Sequence, residues 1–151
     1  MPRILVIDDE EAVLHAVSRR MTRQGYEVES ALTAADGMAK IQNSDPPYDA
    51  IITDMSIEDP EAGLRVLNAA FGRDLFAEVI VMTAYGNVAN AVECMRRGAF
   101  DYVEKNSPSV DVYELLAIKV DQAIDRRRGD VRAVERWERA ARIQEKRHGD
   151  A

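Results

Sequence analysis

Polar residues of the kinds that a phosphoryl-transfer site needs stand at the ends of four separate apolar stretches. They are Asp8, Asp9, Asp54, Thr83 and Lys105. Carboxylates are the ligands that Mg²⁺ commonly takes beside phosphate oxygens. A lysine ammonium can neutralise charge on a phosphoryl group, and such transfer depends mostly on positioning and charge neutralisation. The residue types therefore suit Mg²⁺-assisted phosphoryl transfer, provided that the fold brings them together.

The apolar stretches have the composition of strands that are buried on both faces of a parallel sheet. Strand and helix patterns alternate five times, with strands predicted at about 3–7, 26–31, 48–53, 77–82 and 100–103. This alternation predicts an α/β fold with a doubly wound, five-stranded parallel sheet and right-handed crossovers. Because ligands bind at the carboxyl ends of such strands, we expect the polar residues to converge there.

The composition is that of one globular domain with an appendage. The 151 residues are 46% apolar with a net charge of −7, and no stretch approaches the roughly 18 apolar residues of a membrane span. The N-terminus lacks a signal-peptide pattern, and the single cysteine, Cys94, excludes a disulfide framework. An acidic body argues against nucleic-acid binding, which normally requires a basic footprint. We expect a cytoplasmic protein that binds no membrane and, in this chain, no nucleic acid.

The strand-end carboxylates can be interpreted in two ways. Asp at a strand-to-helix turn often caps the following helix, and capping alone could explain Asp8 and Asp9. Converging carboxylates, however, repel one another unless a cation neutralises them. Since Asp54, Thr83 and Lys105 also follow strands, we favour a metal-dependent site over simple capping.

Four motifs, taken in order, resemble the receiver domain of two-component response regulators. They are ILVIDDE at residues 4–10, Asp54, VMTAYG at residues 81–86 and GAFDYVEK at residues 98–105. The segments around Thr83 and Gly98 are especially similar to receivers of the nitrogen-regulatory class. The resemblance covers residues 3 to about 126. It implies a flavodoxin-like (βα)5 receiver at 1–126, followed by a charged helical extension or linker at 127–151.

The resemblance gives the candidate residues their roles. It implies that Asp54 accepts a phosphoryl group from a sensor histidine kinase or a phosphotransfer protein, while Lys105 contacts the phosphoryl oxygens. It implies Mg²⁺ as the cofactor, bound directly by Asp9, Asp54 and the backbone carbonyl of Ser56. Asp8 would act on the ion through water.

A switch and its partners are implied in the same way. The Thr83 hydroxyl would turn towards the phosphoryl group, and the ring of Tyr102 would then fill the vacated space. A downstream effector protein or domain would respond to that change. The family often forms homodimers through the surface at residues 87–126, to which the C-terminal helix could add. The chain would be a signalling switch rather than an enzyme with a separate substrate.

The chain departs from the family pattern beside the site. The loop after Asp54 lacks the usual Met-Pro pair and carries three acidic residues, Glu58, Asp59 and Glu61. They could repel a phosphodonor or make outer-shell metal contacts. Asn106 follows Lys105 where the family typically has Pro. The sequence therefore leaves the position of the Lys105 side chain undecided.

The segment 109–148 is too long for a helix that only covers the sheet. Its later part is amphipathic with a narrow apolar face, and Gly129 marks either a break or a glycine tolerated within one long helix. A coiled-coil signal is weak, because Arg127 and Glu138 fall at candidate core positions. We interpret this segment as a dimer or partner contact or as a solvated helix. Because residues 119–148 carry a net positive charge, nucleic-acid contact is a weaker alternative.

Two other functions compete with the switch. A degenerate receiver could be a constitutive scaffold, although every family site residue is present. A small Mg²⁺-dependent aspartyl phosphatase could use Asp8 as its nucleophile, but those enzymes resemble Asp-x-Asp at this point and the chain has Glu10 there. The sequence contains neither an ATPase Gly-rich loop nor a convincing helix-turn-helix, so we expect the output to lie in a partner or a further domain.

Overall fold

The computed structural model describes residues 1–149, in which strands and helices alternate strictly. The strands are β1 (Arg3–Ile7), β2 (Glu27–Ala31), β3 (Ala50–Asp54), β4 (Val79–Ala84) and β5 (Asp101–Lys105). The helices are α1 (Glu11–Arg23), α2 (Ala34–Asn43), α3 (Ala62–Arg73), α4 (Val88–Arg96) and α5 (Val112–Gly149). The predicted α/β fold is confirmed, and the predicted strand boundaries shift by no more than two residues.

The sheet has the strand order β2-β1-β3-β4-β5, and all neighbouring strands are parallel. Strand β2 lies beside β1 at one edge of the sheet. The chain then crosses over, so that β3 lies on the other side of β1. Ligands bind at such a reversal of strand order, outside the carboxyl ends of the strands. The ends of β1 and β3 therefore mark the expected position of the site.

The core consists of two apolar layers, one on each face of the sheet. Successive strand residues point to opposite faces, so Leu5 and Ile7 pack with the residues of α2 and α3, whereas Ile4 and Val6 pack with those of α1 and α5. All four side chains are fully buried. This two-sided burial explains the uninterrupted apolar run of β1 and fixes the strand that leads into Asp8.

Helix α5 continues without a break through Gly129 and is 38 residues long. Its buried residues end at Ile124, and most side chains beyond Arg127 are exposed, including Trp137 at 71%. Gly129 therefore lies within one long helix and does not mark a break. The last two residues of the predicted extension, 150 and 151, lie outside the described part of the chain. Within residues 1–149, no helix combines the length and apolarity needed to cross a membrane.

Candidate functional site

The carboxyl ends of β1 and β3 bring a cluster of carboxylates together. One oxygen from each of Asp8, Asp9, Glu10 and Asp54 lies within 4.8 Å of the others. Asp8 is fully buried and Asp54 is 6% exposed, whereas Asp9 and Glu10 are exposed. The convergence of the three Asp residues agrees with the sequence analysis. The sequence analysis missed Glu10 as a member of the cluster, and its only signal was its place directly after Asp9.

Lys105, the last residue of β5, extends its ammonium into this cluster. Its Nζ lies 2.7 Å from Asp8 Oδ2, 2.9 Å from Asp54 Oδ2 and 3.5 Å from Glu10 Oε1. The side chain is only 11% exposed. Asn106 does not displace Lys105. It adopts φ of 58°, a left-handed conformation that Asn tolerates better than most residues.

Burial and the neighbouring charges shift the pKa values of Asp54 and Lys105 in opposite directions. Burial raises the pKa of Asp54, and its hydrogen bond to Lys105 opposes that rise. Burial by itself would lower the pKa of Lys105, but the contacts with Asp8 and Asp54 outweigh it and raise the pKa. A carboxyl with a raised native pKa makes the folded state bind more protons, so stability falls as pH rises through that pKa. The buried position of Asp54 therefore lowers the free energy of unfolding near neutral pH. Functional carboxylates often have pKa values perturbed in this way.

The oxygen atoms of the cluster fit a hard divalent cation. Glu10 N donates to Asp8 Oδ1 at 2.9 Å, which leaves the second oxygen of Asp8 facing Lys105. No described group donates to that buried Oδ2 with hydrogen-bond geometry, although Lys105 Nζ is close to it. The Lys105 ammonium lies within 3.5 Å of three of the four carboxylates. The excess negative charge of the cluster favours binding of a cation such as Mg²⁺. Ser56, whose N donates to Asp54 Oδ1 at 3.4 Å, stands at the edge of the same cluster.

Thr83 and Tyr102 lie on adjacent strands and on the same face of the sheet. Tyr102 pairs with Val81 in the register of β4 and β5, and Val81 shares its face with Thr83 because side chains alternate. Thr83 is fully buried, and its Oγ1 has no hydrogen-bond partner among residues 1–149. Tyr102 is half-buried. The structure thus brings the two predicted switch residues together and leaves the hydroxyl with an unused donor.

The loop after Asp54 is held by a buried residue and an ion pair. Ile57 is fully buried, and Arg65 donates to both carboxylate oxygens of Asp59, at 3.2 and 2.6 Å. The charge of Asp59 is therefore matched by Arg65, whose guanidinium lowers the pKa of that carboxyl. Glu58 is exposed and has φ of 72°. Of the acidic residues in this loop, Glu58 and Glu61 stay exposed without an ion pair to any described residue.

Glu58→Gly is expected to stabilise the protein by about 0.5–1 kcal/mol, because left-handed backbone is strained for Glu and unstrained for Gly. Urea unfolding of the variant and the wild type would measure the difference. Asn106→Gly provides the comparison, since Asn already tolerates this conformation, and its gain should be smaller. A Glu58→Gly variant less stable than the wild type would contradict the expected relief of strain.

Residues 4–117 match the family model of the response regulator receiver domain. The chain belongs to the response regulator receiver family. The acid tolerance regulatory protein ActR of Rhizobium meliloti is 34% identical over 143 residues, which are 94% of this chain and 72% of ActR. The photosynthetic apparatus regulatory protein RegA of Rhodobacter capsulatus is 36% identical over 116 residues, or 77% of this chain and 61% of RegA.

Solved structures agree with this assignment. A response regulator receiver domain protein from Clostridium thermocellum superposes with a TM-score of 0.75 and is 29% identical, covering 85% of this chain and 98% of that one. The predicted receiver fold and its part in two-component signalling are therefore confirmed. The relatives ActR and RegA are longer than the region they share with this receiver.

Proposed function

We propose that this receiver is phosphorylated on Asp54 by the phosphohistidine of a sensor histidine kinase or a phosphotransfer protein. The observation that carries the proposal is the position of the Asp54 carboxylate, 2.9 Å from the Lys105 ammonium at the carboxyl edge of the sheet. An Asp54 oxygen attacks phosphorus, the bond between phosphorus and the histidine nitrogen breaks, and an acyl phosphate forms. Lys105 neutralises charge on the phosphoryl oxygens during the transfer.

Mg²⁺ is the cofactor that this donor set supports. Asp9, Asp54 and the backbone carbonyl of Ser56 would hold the ion directly, and Asp8 would act through water. When bound, the ion neutralises the charge that the acidic cluster and the phosphoryl oxygens would otherwise accumulate. Glu10 keeps Asp8 oriented through its backbone N–H.

Thr83 and Tyr102 would convert phosphorylation into a change of surface. The buried Thr83 hydroxyl has an unused donor, and a phosphoryl group adds strong acceptor oxygens that it can satisfy. When the hydroxyl turns towards them, the half-buried ring of Tyr102 gains room on the same face of the sheet. Differential contacts of this kind shift the population of two states.

The output is binding rather than turnover of a separate substrate. A downstream effector protein or domain would recognise the switched surface, and residues 87–126 together with α5 would form a homodimer contact. We assign residues 1–126 to the receiver and 127–151 to the extension, because the buried face of α5 ends at Ile124. Response regulators usually work in the cytoplasm, and we propose the same compartment here.

Intact-protein mass after incubation with Mg²⁺ and acetyl phosphate tests this function. The wild type and Glu61→Gln, which alters an exposed carboxylate of the same loop that makes no ion pair with a described residue, should each gain one phosphoryl group. Asp54→Asn should gain none, and chelation of the metal should abolish the gain in the two proteins that show it. Equal labelling of Asp54→Asn would overturn the assignment. A wild type that accepts nothing from acetyl phosphate or from phosphohistidine donors would instead support a constitutive scaffold.

A further inference from the structure

Arg126 attaches α5 to the body of the receiver where the apolar face of the helix ends. Its Nε donates to Glu78 Oε1 at 2.9 Å and its Nη2 donates to Glu78 Oε2 at 2.7 Å. Glu78 is 3% exposed, and the Arg126 guanidinium lies 4.6 Å from the centroid of the Phe100 ring. A two-point contact between planar groups restrains orientation as well as distance.

Arg127 makes a second, independent attachment. Its Nη1 donates to Asp74 Oδ2 at 2.6 Å and to the backbone carbonyl of Phe76 at 3.2 Å. Its Nε also lies 3.8 Å from Asp49 Oδ1. The side chain is only 13% exposed. Consecutive residues of a helix point about 100° apart, so the two arginines hold α5 from two directions.

The acceptors lie at the opposite edge of the sheet from the acidic cluster. Asp49 immediately precedes β3, and Asp74 and Glu78 lie in the loop between α3 and β4. Helix α5 therefore leaves the body at the amino edge of the sheet. Beyond it, residues 128–149 make no ion pair with the other described residues, so little else restrains this segment.

We propose that Arg126 and Arg127 act as a clamp that fixes the direction of the extension, so that receiver and extension move as one rigid body. We define the clamp as these two arginines with Glu78 and Asp74. It restrains α5 beyond Ile124, where the helix has no further buried residues. Residues 128–149 span about 33 Å at the helical rise. A change of about 10° in the exit direction would displace their far end by about 6 Å. Small changes at the clamp are thereby amplified at the end of the extension.

Distances between two spin labels, measured by double electron–electron resonance, test the clamp in the full chain. The labels are placed at Gln42→Cys on α2 and Gln144→Cys on the extension, in a Cys94→Ala background. Both labelled positions are exposed. The clamp variant combines Glu78→Gln, Arg126→Gln, Asp74→Asn and Arg127→Gln, because removing both partners leaves no buried charge unpaired. The matched control combines Arg128→Gln with Arg132→Gln, two exposed arginines that make no ion pair among the described residues.

The wild type and the control should each give one narrow distance distribution, and that of the clamp variant should be about twice as wide or shifted by several ångströms. Loss of stability alone would lower the melting temperature of the clamp variant without changing this distribution. A clamp variant as narrow as the wild type, or a wild type that is already broad, would overturn the proposal. Should the clamp variant fail to fold by circular dichroism, the double variant Arg126→Lys with Arg127→Lys keeps both charges without the guanidinium geometry of the contacts. An unchanged distribution in that variant would then refute the clamp.

Discussion

Lys105→Gln is expected to slow phosphoryl incorporation at Asp54 by about 100-fold or more, the usual cost of removing one charge-stabilising donor from a transfer site. Among residues 1–149, Lys105 supplies the ammonium that contacts both Asp8 and Asp54. Without it, the pKa of Asp54 should rise further, because the hydrogen bond that opposes the effect of burial is lost. The rate of mass gain with acetyl phosphate at saturating Mg²⁺ measures the effect.

Lys119→Gln is the matched control for this experiment. Lys119 pairs with Asp101 at 2.7 Å and is 27% exposed, so it is a partly buried, paired lysine next to β5 that does not reach the acidic cluster. Its replacement should leave the rate unchanged. A Lys105→Gln rate close to that of the wild type would mean that the phosphoryl charge is neutralised by another group.

Gly63→Ala is expected to destabilise the protein by about 1–3 kcal/mol, the usual cost of forcing extra volume into a packed position. A Cβ at this position would lie 2.8 Å from Met55 Cα and 3.2 Å from Asp54 O. Gly63 N also donates to Met55 O at 2.8 Å, so the start of α3 packs directly on the backbone that follows Asp54. Because backbone atoms cannot move aside as a side chain can, the substitution should also displace Asp54 and reduce phosphoryl incorporation.

Gly72→Ala, in the same helix, separates this steric effect from helix propensity. A Cβ at Gly72 would meet nothing within 4 Å, and Ala is favoured over Gly in a helix. We therefore expect a stabilisation of about 0.5 kcal/mol near the helix end. Urea unfolding of both variants tests the pair. If Gly63→Ala were as stable as Gly72→Ala, the close packing of α3 on the Asp54 segment would be disproved.

The parts of the site that could be predicted are those that the sheet itself positions. Asp8, Asp54 and Lys105 end or follow strands of apolar sequence, and parallel strands place their carboxyl ends at one edge. Strand patterns alone were therefore enough to predict their convergence. The pairing of Thr83 with Tyr102 as a switch comes from the family resemblance, and the register of β4 and β5, which places both residues on one face, supplies its physical basis.

Contacts made by long, charged side chains could not be predicted. Arg126 with Glu78 and Arg127 with Asp74 join segments whose relative position depends on the completed fold. Nothing in the local sequence distinguishes these arginines from solvated ones. The continuity of α5 through Gly129 was also undecided, because a helical Gly costs only about 1 kcal/mol. Neighbouring residues with high helix propensity offset that cost.

The exposed position of Trp137 on the extension decides what ultraviolet fluorescence can report. The chain has a single tryptophan, which is 71% exposed and belongs to neither core layer. Its emission should already lie near that of indole in water, so melting of the sheet would change it little. A partner that covers the extension would instead move the indole into an apolar environment and shift its emission to shorter wavelength. The native protein thus carries its own optical probe for contacts of the helix, separate from the unfolding of the receiver.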